Sequence, residues 1–172
     1  YLMDTNIIEN PPPIRDINAR LYHSDGRVRL AQEVILGIGG MRALGAMGFN
    51  PVVCHINEGH CSFATLERLA QIRLKHRVDL KTALEISAHS TILTTHTPVP
   101  AAHDEYPFDQ VKPYLTSYEK TLGLPADELL KWGRIRHGGK DMPFSMFVLG
   151  LHLAQYVNGV SRLHGSVARR MW

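Results

Sequence analysis

The sequence predicts an α/β fold in which helices flank a parallel, Rossmann-like sheet. Short apolar runs of the buried-strand type alternate with longer segments whose apolar residues recur at spacings of three and four. Polar clusters follow the predicted strands, at the place where open parallel sheets bind their ligands. Of the 172 residues, 44% are hydrophobic and 20% are charged, which is ordinary for a globular domain.

The predicted strands are short and rich in apolar or β-branched residues. Residues 51–56 and 91–95 have the composition of strands buried inside a sheet. Residues 1–3 and 160–163 are candidates for two further strands. A proline-rich loop is expected over 6–13, and other loops are expected over 97–104 and 134–140.

Apolar periodicity predicts the helices. The first covers residues 29–47, and Gly48 is expected to end it. Within it, the run from Gly37 resembles the start of a dinucleotide-binding motif, but Arg42 stands where the third glycine should be. These glycines therefore indicate close helix packing or a bend. Further helices are predicted over 60–75, 80–88 after the N-cap Asp79, 109–122, 126–132, 144–157 and from 166 onward.

We expect the whole chain, residues 1–172, to be one partial domain, because it opens on an apolar run and stops inside a predicted helix. No apolar run reaches the roughly 18 residues that span a bilayer, so a membrane partner is not expected. The net charge of +3 is spread over scattered basic residues, which argues against nucleic acid binding. The start of the sequence does not resemble a signal peptide, and Cys54 and Cys61 are the two cysteines, so a cytoplasmic protein is expected.

Three polar clusters could carry chemistry. Asn57, Glu58 and His60 follow the first central strand, and a second cluster after the strand 91–95 consists of His96, Thr97, His103 and Asp104. Asn158, Gly159, Val160 and His164 follow the predicted helix 144–157. If the strands are parallel neighbours, these clusters meet at one edge of the sheet. Imidazoles, amides and carboxylates at that edge suit a polyhydroxylated ligand, since each hydroxyl can donate and accept a hydrogen bond.

Each cluster also has a purely structural interpretation, which the sequence leaves open. Asn57 and Glu58 could cap the next helix, and Asn158 with Gly159 could end the preceding one. His96 could be a buried histidine bonded to the backbone, and His164 could be an ordinary residue at a helix entry.

A metal site is the main chemical alternative, because Cys54, His55, Glu58, His60 and Cys61 lie within eight residues. The zinc peptidase pattern H-x-x-E-H requires histidines four residues apart, whereas His55 and His60 are five apart. If residues 54–56 form a strand, Cys54 and His55 also point to opposite faces. We therefore expect no metal in this chain.

The sequence resembles the α-glucan (glycogen, starch or maltodextrin) phosphorylases, and within them the shorter bacterial and archaeal branch. The motifs are "HINEGH" at 55–60, "TTHTPVPAAHD" at 94–104 and "NGVSRLHG" at 158–165, which stand in the order of that family. The segments "YLMDTNIIEN" and "RDINARLY" are similar as well, so the resemblance covers essentially the whole chain.

The resemblance implies a place in a two-domain GT-B glycosyltransferase, with this chain as the C-terminal part of the N-terminal domain. It implies phosphorolysis, in which orthophosphate removes the terminal α-1,4-linked glucose of a glucan as glucose 1-phosphate. The family uses pyridoxal phosphate bound to a lysine of the other domain, so no cofactor-binding residue is expected here. Whether the parent protein is a homo-oligomer is left open.

Carried over position by position, the resemblance implies a catalytic role for His96, which would bond a sugar hydroxyl and turn its carbonyl toward the oxocarbenium-like centre. The substrate-binding residues that it implies are Asn57, Glu58, His60, Thr97, Asp104, Asn158, Gly159, Val160 and His164. Gly59 and Pro98 depart from the longer animal enzymes, whose substrate preferences are therefore not carried over.

Two other functions stay open: a nucleotide-sugar glycosyltransferase of the same architecture, and a stand-alone glucan-binding module. Because half a cleft buries only part of a ligand, the chain by itself is expected to be inactive and to bind sugar weakly.

Overall fold

A computed structural model describes residues 2–21, 23–99, 103–134 and 142–172. Its strands are β1 (Cys54–Asn57), β2 (Thr91–Thr95), β3 (Glu105–Tyr106), β4 (Phe144–Ser145) and β5 (Tyr156–Gly159). Its α-helices are α1 (Pro12–Arg15), α2 (Gly26–Val34), α3 (Gly40–Ala46), α4 (Phe63–His76), α5 (Leu80–His89), α6 (Phe108–Thr116), α7 (Glu119–Leu122), α8 (Ala126–Leu130), α9 (Met146–Leu153) and α10 (Arg162–Met171). Short 3₁₀ turns cover Gly59–Cys61 and Lys131–Gly133.

The main sheet has the order β1-β2-β5, and both of its strand pairs are parallel. Asn57 lies beside Thr94 in the first pair, and Gly159 lies beside Thr95 in the second. Because all three strands run the same way, their carboxyl ends form one edge. The parallel sheet flanked by helices confirms the fold class that the sequence predicts. A separate antiparallel pair joins β3 to β4.

The predicted first helix is present as a continuous helical stretch over residues 26–46, with a π-helical segment, Ile35–Gly39, between α2 and α3. A Cβ atom at Gly37 would lie 2.7 Å from the backbone nitrogen of Ala64 and 2.8 Å from the Cβ of Phe63. Only a glycine allows this approach to the start of α4. The close-packing interpretation is therefore confirmed at Gly37.

Most of the buried apolar surface lies between helices. Phe63, Leu66 and Leu69 of α4 are fully buried in one apolar cluster, to which α6, α8 and α9 also contribute side chains. A smaller cluster joins the sheet to α9, through Ile56, Leu93, Phe147 and Ala154. The helices therefore form the main core, and the sheet is attached to it through α9.

Two predicted elements near the C-terminus were wrong in their bounds. The apolar run 144–157 is not one helix: it contains β4, α9 and the start of β5. A continuous apolar run does not distinguish a buried helix from a buried strand, and this run contains both. The last strand is consequently Tyr156–Gly159 instead of 160–163, and the following helix begins at Arg162, where Ser161 caps it.

Other boundaries shifted for local reasons. The predicted strand 51–56 begins only at Cys54, because the carbonyls of Pro51 and Val52 accept hydrogen bonds of 2.8 Å from the Arg68 guanidinium. The prediction of a helix over 109–122 was too long, since α6 and α7 are separate. Leu2 and Met3 are exposed and form no strand. Residue 1 and much of the predicted loops, at 100–102 and 135–140, lie outside the described residues.

None of the helices in the described ranges combines the length and the apolar character that crossing a membrane requires.

Candidate functional site

The carboxyl ends of the three parallel strands are tied together by backbone hydrogen bonds. Glu58, which follows β1, donates its N–H to the carbonyl of Thr94 at 3.0 Å. Val160, which follows β5, donates its N–H to the carbonyl of Thr95 at 2.9 Å. The loops that leave all three strands therefore begin side by side, as the sequence predicts.

Glu58 joins the first two loops through its side chain. Its Oε1 accepts hydrogen bonds from the backbone N–H of His96 and, at 2.7 Å, from that of Thr97. The Thr95 hydroxyl donates to the same carboxylate at 3.4 Å. Glu58 has a φ of 66° and a ψ of 177°, a conformation that costs a non-glycine residue on the order of 1–3 kcal/mol. Because these contacts fix the carboxylate, they offset that strain, which is often found at functional sites.

A pocket of about 270 Å³ opens beside Glu58 at this edge. Four of the predicted residues line it, namely Glu58, His60, Thr97 and Asp104. Its other lining residues are His23, Arg29, Gly59 and His103. The wall thus carries two carboxylates, a guanidinium and three imidazoles. Such a mixture of donors and acceptors fits the hydroxyl groups of a sugar better than an apolar ligand.

Arg29 and Asp104 form an ion pair in the pocket wall. The Arg29 Nη2 lies 3.0 Å from Asp104 Oδ2, and its Nε lies 3.4 Å from Oδ1, a two-point contact. Burial alone would raise the pKa of Asp104, but the hydrogen bond and charge of Arg29 hold it below its usual range. Burial and the nearby Arg29 lower the pKa of His60. At neutral pH the pocket therefore presents an ionised Asp104 next to a neutral His60.

His103 lies behind Glu58. Its Nδ1 is 4.0 Å from Glu58 Oε2, and its ring packs on Phe147 and Trp172 with centroid distances of 4.5 and 5.1 Å. Burial lowers the pKa of His103, so the ring is neutral at pH 7. This apolar packing on one side of the ring holds His103 next to the Glu58 carboxylate.

A second cavity, of about 550 Å³, lies beside β5 and α10. Asn158 and Gly159 line it, together with Thr95, Phe147 and Trp172. A Cβ atom at Gly159 would lie only 2.5 Å from the backbone nitrogen of Gly165. The close approach of strand and helix therefore requires a glycine at position 159.

Comparison with known proteins gives independent evidence on which proteins this chain is similar to. No protein-family model matches the chain. It is 41% identical over its full length to a maltodextrin phosphorylase of Thermococcus litoralis, and covers 20% of that protein. It is 40% identical over 99% of its length to a glycogen phosphorylase of Mycobacterium tuberculosis, and covers 21% of it. A glycogen phosphorylase of Aquifex aeolicus is 34% identical over the whole chain, which covers 25% of it.

The chain is a homologue of the glycogen and maltodextrin phosphorylases. It spans only about a fifth to a quarter of the length of these relatives. The aligned region includes all three motifs, since it extends over essentially the whole chain.

The remaining predicted site residues do not line the pocket beside Glu58. His96 is exposed directly after β2, and Asn57 is exposed at the end of β1. Val160 is half-exposed beyond β5. His164 lies in α10, where its backbone N–H donates to the Ser161 hydroxyl. Its side chain is buried and is part of the packing next to His103.

The sequence did not single out Arg29 and His23 as pocket residues. Arg29 lies on α2, 75 residues before its partner Asp104, and such a distant contact leaves no local pattern. One signal was available: Arg29 and Glu33 form an i,i+4 pair on the helix face that carries the buried Leu30. His23 lies before α2, outside the three polar clusters, and no sequence pattern indicates a role for it. His103 belonged to the second polar cluster but had no assigned role.

The five potential metal ligands at 54–61 do not converge. Cys54 Sγ lies 3.9 Å from Met41 Sδ, while His55 Nε2 bonds the Thr94 hydroxyl at 2.6 Å, so the two side chains point to opposite faces of β1. Throughout the ranges that the structure describes, no three His, Cys, Asp or Glu side chains come together in a way that could hold a metal ion.

Proposed function

We propose that this chain is part of an α-glucan phosphorylase and forms one wall of its glucosyl site, within the N-terminal half of a GT-B fold. The observation that carries the proposal is the Glu58 carboxylate, which bonds the N–H groups of His96 and Thr97 and so fixes two phosphorylase-like motifs against one polar pocket. The names of the homologues support the same function.

In the proposed reaction, orthophosphate cleaves the terminal α-1,4-linked glucose of a glucan and yields glucose 1-phosphate with retained configuration. Positive charge develops at the anomeric carbon as the glycosidic bond breaks. The His96 carbonyl, in a loop held by Glu58, is suited to stabilise that charge, because a fixed dipole acts selectively on the transition state. His60, Thr97 and Asp104 would hold sugar hydroxyls from the pocket wall.

Pyridoxal phosphate, which the family resemblance implies, does not fit the residues described here. Within the described ranges, no lysine lines the pocket beside Glu58. Lys75, Lys112 and Lys131 instead bond Asn50, Asp127 and Glu128 elsewhere on the surface. We therefore assign the cofactor to the rest of a larger protein and derive no step from it. The proposed partners are the glucan and orthophosphate, in a cytoplasmic enzyme whose oligomeric state is left open.

The test uses the full-length protein that contains this sequence, incubated with maltodextrin and orthophosphate. We expect glucose 1-phosphate from the full-length protein and none from the 172-residue chain. Transfer from a nucleotide sugar without phosphorolysis would indicate the glycosyltransferase alternative. Micromolar oligosaccharide binding by the chain alone, with no reaction in the full-length protein, would indicate a binding module.

A further inference from the structure

Glu33 is a fully buried carboxyl group behind the pocket wall, and the proposed reaction does not use it. It lies on α2, one turn after Arg29, and its Oε1 is 3.2 Å from Arg29 Nη2. The same guanidinium nitrogen is 3.0 Å from Asp104 Oδ2. Arg29 therefore stands between two carboxyl groups, of which only Asp104 lines the pocket.

The titratable and charged groups that face Glu33 come from several elements. Arg29 shares its helix, Asp104 comes from the loop before β3, Tyr106 from β3 itself, and Cys61 from the turn before α4. His60 interacts in turn with Arg29 and Asp104. Arg29 is the cation among these groups. One guanidinium does not balance two carboxylates of which one, Glu33, is fully buried, so one of the carboxyl groups must carry a proton.

The proton belongs on Glu33. Burial and the neighbouring Asp104 raise the pKa of Glu33 to about 9, while Arg29 keeps the pKa of Asp104 below its usual range. Asp104 has the two-point contact with Arg29, whereas Glu33 has a single contact of 3.2 Å with it, and a hydrogen bond between the two carboxyl groups favours a proton on Glu33. A protonated Glu33 carries no charge that would compete with Asp104 for the guanidinium.

We propose that Glu33 is a positioning residue that carries a proton at neutral pH and so keeps the Arg29–Asp104 pair in place at the pocket wall. This inference rests on the proposed function for its effect on catalysis, but not for the protonation itself. Ionisation of Glu33 in alkaline solution adds a second negative charge beside Asp104. Arg29 is then drawn toward Glu33, and the pocket wall rearranges.

The protonation is tested on the chain by infrared spectroscopy. We expect a carboxylic acid C=O band at pH 7 that disappears as the pH passes about 9. The Glu33→Gln variant should lack this band, because the amide replaces the acid. The control Glu85→Gln, at an exposed position on α5, should keep it. Absence of the band from the unmodified chain at pH 7 would overturn the inference, whatever the activity of the full-length protein.

The positioning role is tested by the pH profile of phosphorolysis in the full-length protein. Glu33→Gln preserves an uncharged side chain of the same shape, so we expect kcat/KM within about twofold of wild type at pH 7 and a weaker decline above pH 9. Glu33→Leu, which cannot hydrogen-bond Asp104, should lower kcat/KM by about tenfold. An unchanged alkaline decline in Glu33→Gln contradicts the positioning role. A wild-type protein without phosphorolysis contradicts the proposed function instead.

Discussion

The helical part of this molecule and its three-stranded sheet differ in how completely they are buried. Between the helices, Phe63, Leu66 and Leu69 have no exposed surface. On the outer strand β5, Tyr156 and Val157 are 51% and 46% exposed. Parallel sheets are normally covered on both faces, so an exposed outer strand is unusual. In the proposed phosphorylase, further parts of the protein would cover this strand.

This contrast in burial indicates that stability and the proposed activity reside in different parts of the chain. The helical core contributes most of the buried apolar surface, whereas the polar pocket lies at the less protected sheet edge. Substitutions in the core should therefore affect folding first, and substitutions at the edge should affect function first.

The largest effect on folding is expected for Phe63→Ala. Phe63 is fully buried and packs against Gly37, so its removal leaves a cavity that costs about 3–5 kcal/mol of unfolding free energy. Val157→Ala on β5 should change this free energy by only about 0.5 kcal/mol. Urea denaturation of both variants measures the contrast, and equal losses would show that the sheet and the helical core are equally important for stability.

The next largest effect is expected for Glu58→Ala, which should lower both the stability of the chain and the proposed activity. The substitution leaves the N–H groups of His96 and Thr97 without their acceptor and releases the loop after β2. We expect phosphorolysis by the full-length protein to fall about a hundredfold and the unfolding free energy of the chain to fall by about 1–3 kcal/mol. Kinetics near those of wild type would argue against Glu58 as the link between the loops.

His96→Ala should separate function from folding. Its side chain is exposed, so its removal should change the unfolding free energy by no more than about 0.5 kcal/mol. If the imidazole bonds a sugar hydroxyl, kcat/KM for phosphorolysis should fall by at least about tenfold. Loss of activity together with an equal loss of stability would point to a structural role.

A pH dependence of folding is also expected, and it originates in the helical part. The pKa of Glu33 in the folded chain is about 9, above its ordinary value of 4.5. Its contribution to stability is therefore complete below pH 4.5 and is lost as the pH rises toward 9, by at most about 1.4 kcal/mol per pH unit. Denaturation between pH 5 and 9 should show a shallower decline for Glu33→Gln, and equal slopes would contradict this linkage.

The sequence predicted the parallel sheet and the meeting of its loops because strand composition and helical periodicity are local properties. It misplaced β5, since the run from Phe144 to Val157 is mostly apolar and neither proline nor glycine stands between the end of α9 at Leu153 and Tyr156. Four residues that line the pocket, Glu58, His60, Thr97 and Asp104, are predicted from the sequence because they lie in the motifs at 55–60 and 94–104. Arg29 was missed because its role depends on a contact across 75 residues.

Phosphorolysis of maltodextrin by the full-length protein, compared with its Glu58→Gln variant, decides whether the loops joined by Glu58 form part of a glucosyl site. We expect glucose 1-phosphate from the wild-type protein and a loss of at least about tenfold in the variant, because an amide oxygen is a weaker acceptor than a carboxylate for the two N–H groups. Full-length protein that forms no glucose 1-phosphate from orthophosphate and maltodextrin would contradict it.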